Sequence, residues 1–288
     1  KLKNCVEITC LTSEPENVSC GEICSLTAKS KTSGLFYPLL KKPVNCLHMI
    51  HLLHKTPTWQ DSHTRNINKD GGSQRDHIDY NILSKVYEED YINELVLMES
   101  NGNEDNELAD SLVRRTFSAY EGVFYNKRGI VLGSQTPWIE AMLLCQHVKH
   151  LITLDNNVNI VFIHPKISKY NPFEFSELFL QSRIQHFDFA VSYDFVDQSQ
   201  IDMKENTYGD LQTVAQVWCV LKPRGLFFLA VPESHNQSSY TTSNSQRVYA
   251  NDRLQHLTAN FNVLDHFRSG KVNGKIHFGM WVLQKIDT

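Results

Sequence analysis

The sequence predicts an α/β fold: a mostly parallel sheet flanked by helices, closed at its C-terminal edge by an antiparallel hairpin. Three observations predict it. From about residue 129 short apolar runs alternate with helical segments, which implies right-handed crossovers between parallel strands. Hydrophobic residues make up 41% of 288 residues against 21% charged, so a sizeable core is available. The last two apolar runs lie as a pair around Asn273-Gly274, a hairpin turn signal.

Taken in order, residues 1–70 are rich in Asn, Ser, Thr, Lys and Pro and read as a loop-rich, cysteine-containing extension, broken only by the apolar stretch Leu47 to Leu53. Asp70-Gly71-Gly72-Ser73 is a strong breaker. Residues 71–128 read as helical: Ile78, Ile82, Val86, Tyr87, Tyr91, Leu95 and Met98 recur at helical spacing, and a second helix runs over 107–120 after a polar break. Residues 129–288 form the third unit. Its strands are expected at 129–133, 151–154, 159–163, 187–193, 226–231, 261–267 and 275–286, and its helices at 138–148, 208–221 and 248–260. Lys222-Pro223-Arg224-Gly225 stops the long helix.

The net charge of -4, without a long basic run, disfavours nucleic acid as the main partner. No stretch of about 18 apolar residues spans a membrane, and an anchor is expected only in a segment preceding Lys1. Five of seven cysteines crowd the first fifth of the chain (Cys5, Cys10, Cys20, Cys24, Cys46) and read as disulfide formers. Cys145 and Cys219 read as small buried hydrophobes. The sequons at Asn17 and Asn236 point to the secretory pathway as well.

In such a sheet a ligand binds outside the carboxyl ends of the strands. Gly133 follows the first strand and frees the backbone to turn and approach a ligand closely. Ser134, Gln135, Thr136, Pro137 and Trp138 complete that loop, which lacks the G-x-G-x-x-G of a dinucleotide cradle. Asp155, with Asn156 beside it, ends the next strand, where a carboxylate can accept from both hydroxyls of a ribose. Asp194 and Asp197 follow the 187–193 strand and face the same crevice. A closing hairpin is a feature of methyltransferase folds, not of dinucleotide-binding halves.

The run Gly133-Ser134-Gln135-Thr136-Pro137-Trp138-Ile139-Glu140-Ala141 resembles the signature of an uncharacterised-domain family found in Caenorhabditis and in bacterial polysaccharide gene clusters. Phe187-Asp188-Phe189-Ala190-Val191-Ser192, Gly209-Asp210-Leu211, Trp218 to Gly225 and Arg247-Val248-Tyr249 resemble its later motifs. The resemblance implies a Rossmann-like class I methyltransferase fold using S-adenosyl-L-methionine. It is nearest to nematode Golgi enzymes that O-methylate fucose, the 2-hydroxyl being the position first expected. It implies a fucosylated glycan or glycoconjugate acceptor and a Golgi lumen location; a homodimer is also compatible. A small-molecule methyltransferase and a non-catalytic methyltransferase-like binding protein are the alternatives.

This chain carries Asp197-Gln198 where the family pattern has Glu-His, and Gln246 where it has His before the Arg-Val-Tyr motif. A sugar hydroxyl needs a general base, and Asp197, His235 and Asp210 are the candidates, with Glu233 a further one by position. Tyr193, Tyr208, Arg247 and Tyr249 are the candidates for holding the sugar. The stretch 234–245 reads as a mobile lid. No motif demands a metal.

Overall fold

The computed structural model describes residues 45–55, 85–100, 108–134, 136–157, 159–193, 195–196, 209–234, 238–242, 246–269 and 276–286. The sheet has seven strands in the order β10-β11-β7-β6-β2-β3-β5. These are β2 (Arg128–Leu132), β3 (His150–Leu154), β5 (Ile167–Tyr170), β6 (Phe187–Tyr193), β7 (Leu221–Ser234), β10 (Phe261–Arg268) and β11 (Ile276–Lys285). The five strands from β5 to β7 pair in parallel, while β11 is antiparallel to β7 and β10 to β11. That is the architecture of a Rossmann-like class I methyltransferase.

Alternation along the strands divides the core. Ile130, Leu132, Phe227 and Leu229 face α1 (Cys46–His51), α5 (Pro172–Leu180), α6 (Gly209–Val220) and α7 (Asn251–Leu257). Val131, Leu151, Phe189 and Phe228 face α2 (Glu89–Ser100), α3 (Leu108–Ala119) and α4 (Trp138–Cys145). Both faces are therefore covered, as a parallel sheet requires.

Two small ribbons complete the fold. β1 (Lys85–Tyr87) pairs with β4 (Ile160–Phe162), and β8 (Tyr240–Thr241) with β9 (Arg247–Val248). The first corrects the helical reading of Val86 and Tyr87 and takes the 159–163 strand out of the main sheet. The third strand on that side is β5, which sequence reasoning missed along with α5. The long helix does stop before 222–225, α6 ending at Val220, but β7 starts already at Leu221 rather than 226, with Arg224 in the left-handed region at φ 59°. α4 ends at Cys145, short of Val148, because His147 turns away at φ 55°. α7 is confined to Asn251–Leu257, inside the expected 248–260. The 273–274 turn lies outside the described residues.

A disulfide joins Cys46 on α1 to Cys219 on α6, so Cys219 is not the free buried hydrophobe expected. Gln216 Nε2 donates to Met49 O at 3.2 Å beside it, and Met49 and Ile50 are fully buried. The apolar stretch inside the extension is thus part of the domain core. Cys145 is half-buried, and its Sγ donates to the Val96 carbonyl at 3.3 Å.

Candidate functional site

The chain progresses from β2 to β3 and β5 on one side and to β6, β7 and the hairpin on the other, so the topological switch lies between β2 and β6. Gly133 stands at the end of β2 with φ +70°, a conformation that side chains rarely adopt. A Cβ there would overlap the Phe195 ring, so the group approaching closely is that ring from the segment after β6. The glycine lets two crevice loops pack together.

Ser134 is buried beneath this turn, Thr136 is exposed and Pro137 is buried at the N-cap of α4. Trp138 is half-buried and meets Tyr193 edge to face at 5.3 Å. Tyr193 stacks in turn on Phe278 of β11 at 5.6 Å. Trp138 and Tyr193 thus form one aromatic run across α4, β6 and β11 at the carboxyl edge.

Asp155 follows β3 and is 3% exposed. Its Oδ1 accepts from the Asn157 backbone N–H at 3.0 Å, whereas Oδ2 is buried with no hydrogen-bond partner among the described residues. Burial raises its pKa, offset in part by the Asn157 amide, the Lys169 charge and the Asn156 amide. An acceptor oxygen left unpaired in this way costs free energy unless something donates to it. Asn156 itself is half-buried next to it.

Asp210 is in a different situation. Wholly buried, it takes Arg253 Nη2 on Oδ1 at 2.6 Å, and on Oδ2 Arg253 Nε at 2.6 Å, Arg247 Nη1 at 2.7 Å and the Tyr249 hydroxyl at 3.0 Å. Burial opposes its charge, but the two guanidiniums hold the carboxyl well below the usual range. A carboxylate so held does not take a proton at neutral pH, which corrects the expectation that Asp210 is a base. The same network corrects Arg247 and Tyr249: they lock α6 to the β9–α7 segment, and Tyr249 has no exposed face to offer a sugar.

At the carboxyl end of β7, Glu233 is 2% exposed and gathers side chains from both hairpin strands. Its Oε1 lies 2.9 Å from His266 Nε2 and accepts the Trp281 indole N–H; Oε2 lies 3.2 Å from His277 Nε2 and 3.6 Å from Arg268 Nε. The His266 ring stacks on Trp281 at 3.9 Å. Sequence reasoning placed Glu233 near the site and missed the histidines. His277 and Trp281 occupy the strand parity opposite to Phe278, Met280 and Val282, and a polar residue on an inward parity was the available signal.

Gln135, Asp194, Asp197, Tyr208 and His235 lie outside the described residues. Of the lid stretch 234–245, residues 238–242 form one side of the β8–β9 ribbon, anchored by Ser239 on Asp252, whose Oδ1 accepts the Ser239 hydroxyl at 2.7 Å.

Comparison with known structures returns distant likenesses. The 1,6-didemethyltoxoflavin-N1-methyltransferase of Burkholderia thailandensis, solved with 1,6-didemethyltoxoflavin and S-adenosylhomocysteine, is 15% identical, with 76% of this chain and 94% of that chain covered at a TM-score of 0.45. The N-methyltransferase NodS of Bradyrhizobium japonicum WM9, solved with S-adenosylhomocysteine, is 13% identical, with 68% and 98% covered at 0.46. Likeness at this level fixes neither ligand nor substrate. No curated protein matches the chain. Residues 126–286, from the turn before β2 to the end of the hairpin, match one family along more than half of the sequence, and the chain belongs to that family, described as Caenorhabditis protein of unknown function, DUF268.

Proposed function

We propose that this chain is an S-adenosylmethionine-dependent O-methyltransferase whose acceptor is a sugar hydroxyl of a glycan, fucose and its 2-hydroxyl first among them. One observation carries the cofactor half of the proposal. Asp155, at the end of the strand next to the switch strand, is buried with one carboxylate oxygen bonded to the Asn157 N–H and the other without a donor among the described residues. The vicinal hydroxyls of a ribose are the donors such an oxygen lacks. The residues present fit an adenosine ligand: Asp155 for the ribose, Asn156 beside it and the Gly133–Trp138 turn along the crevice floor. Asp194 belongs to the same proposed pocket.

The bound cofactor would supply an electrophilic methyl group on a sulfonium. The protein's own work is to hold the acceptor oxygen in line with that methyl and to accept its proton, the latter contributing about 10²–10⁴-fold. Asp197 and His235 remain the candidates read from the sequence. Among the described residues, His266 on Glu233 is a third, because the carboxylate fixes its Nε2 side and Nδ1 makes no hydrogen bond. Tyr193 and Tyr208 would line the sugar. The Cys46–Cys219 disulfide supports an oxidising compartment, in keeping with the Golgi lumen.

Calorimetric titration with S-adenosylmethionine and S-adenosylhomocysteine tests this reading. Micromolar binding, lost in Asp155→Ala, is expected, followed by methyl transfer to a fucosylated glycan. Absence of binding in folded protein would sink the enzyme. Binding without turnover on any glycan would favour the non-catalytic alternative, which Gln198 and Gln246 motivate.

A further inference from the structure

Glu140 is the one acidic residue in the apolar run of α4, completely buried between that helix and the sheet. Its Oε1 accepts the Thr153 hydroxyl of β3 at 2.6 Å. Its Oε2 lies 2.8 Å from Ser134 Oγ, and the same Ser134 oxygen lies 2.8 Å from the Thr136 carbonyl. A serine hydroxyl carries one proton, and a carbonyl only accepts. Both contacts are hydrogen bonds together only when Ser134 donates to Thr136 O and accepts a hydrogen bond from a protonated Glu140.

We propose that Glu140 is a positioning residue for the Gly133–Trp138 turn: as a neutral acid it drives the Ser134 relay that holds the turn closed, and on ionising it releases the turn. With Oε2 charged, the Ser134 hydroxyl turns to donate its hydrogen bond to the carboxylate, and the Thr136 carbonyl loses its donor. Thr153 ties the same carboxyl to the strand that ends at Asp155, so the relay spans both halves of the cofactor pocket. The consequence for cofactor affinity rests on the function proposed above; the consequence for the turn does not.

The surroundings favour the neutral acid. Burial pushes Glu140 up to about 7, against the Thr153 and Ser134 hydroxyls and its own helix amide, with the Asp155 charge adding to the rise. Lys169 of β5 is the facing cation, and its charge acts on Asp155 as well. From α2, packed along α4, the inward residues are Ile92 and Val96, which carry no charge. A carboxyl whose folded pKa is raised favours the closed turn at low pH and gives it up as pH rises through about 7.

Amide hydrogen exchange of the 133–138 turn in ligand-free protein, corrected for intrinsic rates and followed from about pH 5.5 to about pH 8.5, is the test, paired with S-adenosylhomocysteine affinity at each pH. Protection in the natural sequence is expected to fall by up to about tenfold per pH unit until pH reaches about 7 and to level off above it, with affinity falling alongside. Glu140→Gln, whose amide still donates to Ser134 and accepts from Thr153, is expected to stay protected and flat with pH. Should that variant not fold, Ser134→Ala cuts the relay and keeps the acid, so its protection is expected to be low and independent of pH. Flat protection in the natural sequence, or a fall with pH that survives in either variant, overturns the proposal. pH-dependent protection without any S-adenosylhomocysteine binding would overturn the cofactor reading alone.

Discussion

Glu140 and Asp210 are both completely buried acids, and burial raises both, but only Asp210 has cations that outweigh it. Asp210 faces two guanidiniums and a tyrosine hydroxyl and is held below the usual carboxylate range, whereas burial pushes Glu140 up to about 7 against its two hydroxyl partners. The folded Asp210 carboxyl titrates below its unfolded value of 3.8, so its stabilisation is present above that pH and fades in acid. Asp210→Asn strands Arg247 and Arg253 and is expected to cost about 3–5 kcal/mol near neutrality, with a difference that shrinks in acid, as denaturant unfolding at several pH values would show. For Glu140 the sign reverses: its favourable contribution is complete below 4.5 and is lost as pH rises to about 7. Glu140→Gln should therefore gain on the natural sequence across that window, by up to about 3 kcal/mol. Unequal gains at the two ends of the window are the check, since a purely packing effect would shift both ends alike. At this scale the sequence named Asp155, Glu233 and Asp210 from their places at strand and helix ends. It could not supply their partners, because Arg247, Tyr249 and Arg253 reach Asp210 only through the fold.

Elements tell a similar story about what a pattern carries. β5 has one fully buried residue in four and sits at the sheet edge, so its apolar signal is weak. α5 was more legible than the reading made of it. Asn171 caps it through the Glu174 amide, Glu174 completes a capping box, and Pro172 stands at its first turn, an N-terminus written in four consecutive residues. α1 shows the opposite case. Six residues do not make a stable helix by themselves, and this one is held by tertiary contacts: the disulfide to α6, the Gln216 bond and the burial of Met49 and Ile50. The bond closes a loop of 173 residues, for which chain entropy allows about 5 kcal/mol, and native disulfides typically contribute about 2–5. Reduction, or Cys46→Ser with Cys219→Ser, is expected to lower stability within that range and to expose α1 to proteases before the sheet unfolds. Equal protease resistance with and without the bond would show that packing alone holds α1.

For the whole molecule, the order β10-β11-β7-β6-β2-β3-β5 sets the crevice at the β2–β6 switch and brings Gly133, Tyr193 and the Asp155 strand end to one rim. The alternation and the closing hairpin were legible in the sequence, since handedness and short connections restrict the crossovers, but the order was not, because β5 went unread and the 159–163 strand pairs with β1 outside this sheet. The crevice then has an energetic signature. Asp155 is buried with a raised pKa and one oxygen lacking a donor among the described residues, an arrangement that costs stability in the protein alone and is offset when a ligand donates to it. Two measurements on one variant follow from that. Asp155→Ala should melt at the same temperature as the natural sequence or higher, because it removes the unpaired acceptor. It should also lose the response to S-adenosylhomocysteine, which at a hundredfold excess over Kd stabilises a binding-competent chain by about 2.7 kcal/mol, several degrees in Tm for a domain of this size. A variant that is no less stable and no longer responsive identifies Asp155 as a residue kept for binding at the expense of the fold. A variant that melts lower with its ligand response intact would place Asp155 among the structural strand-end carboxylates instead.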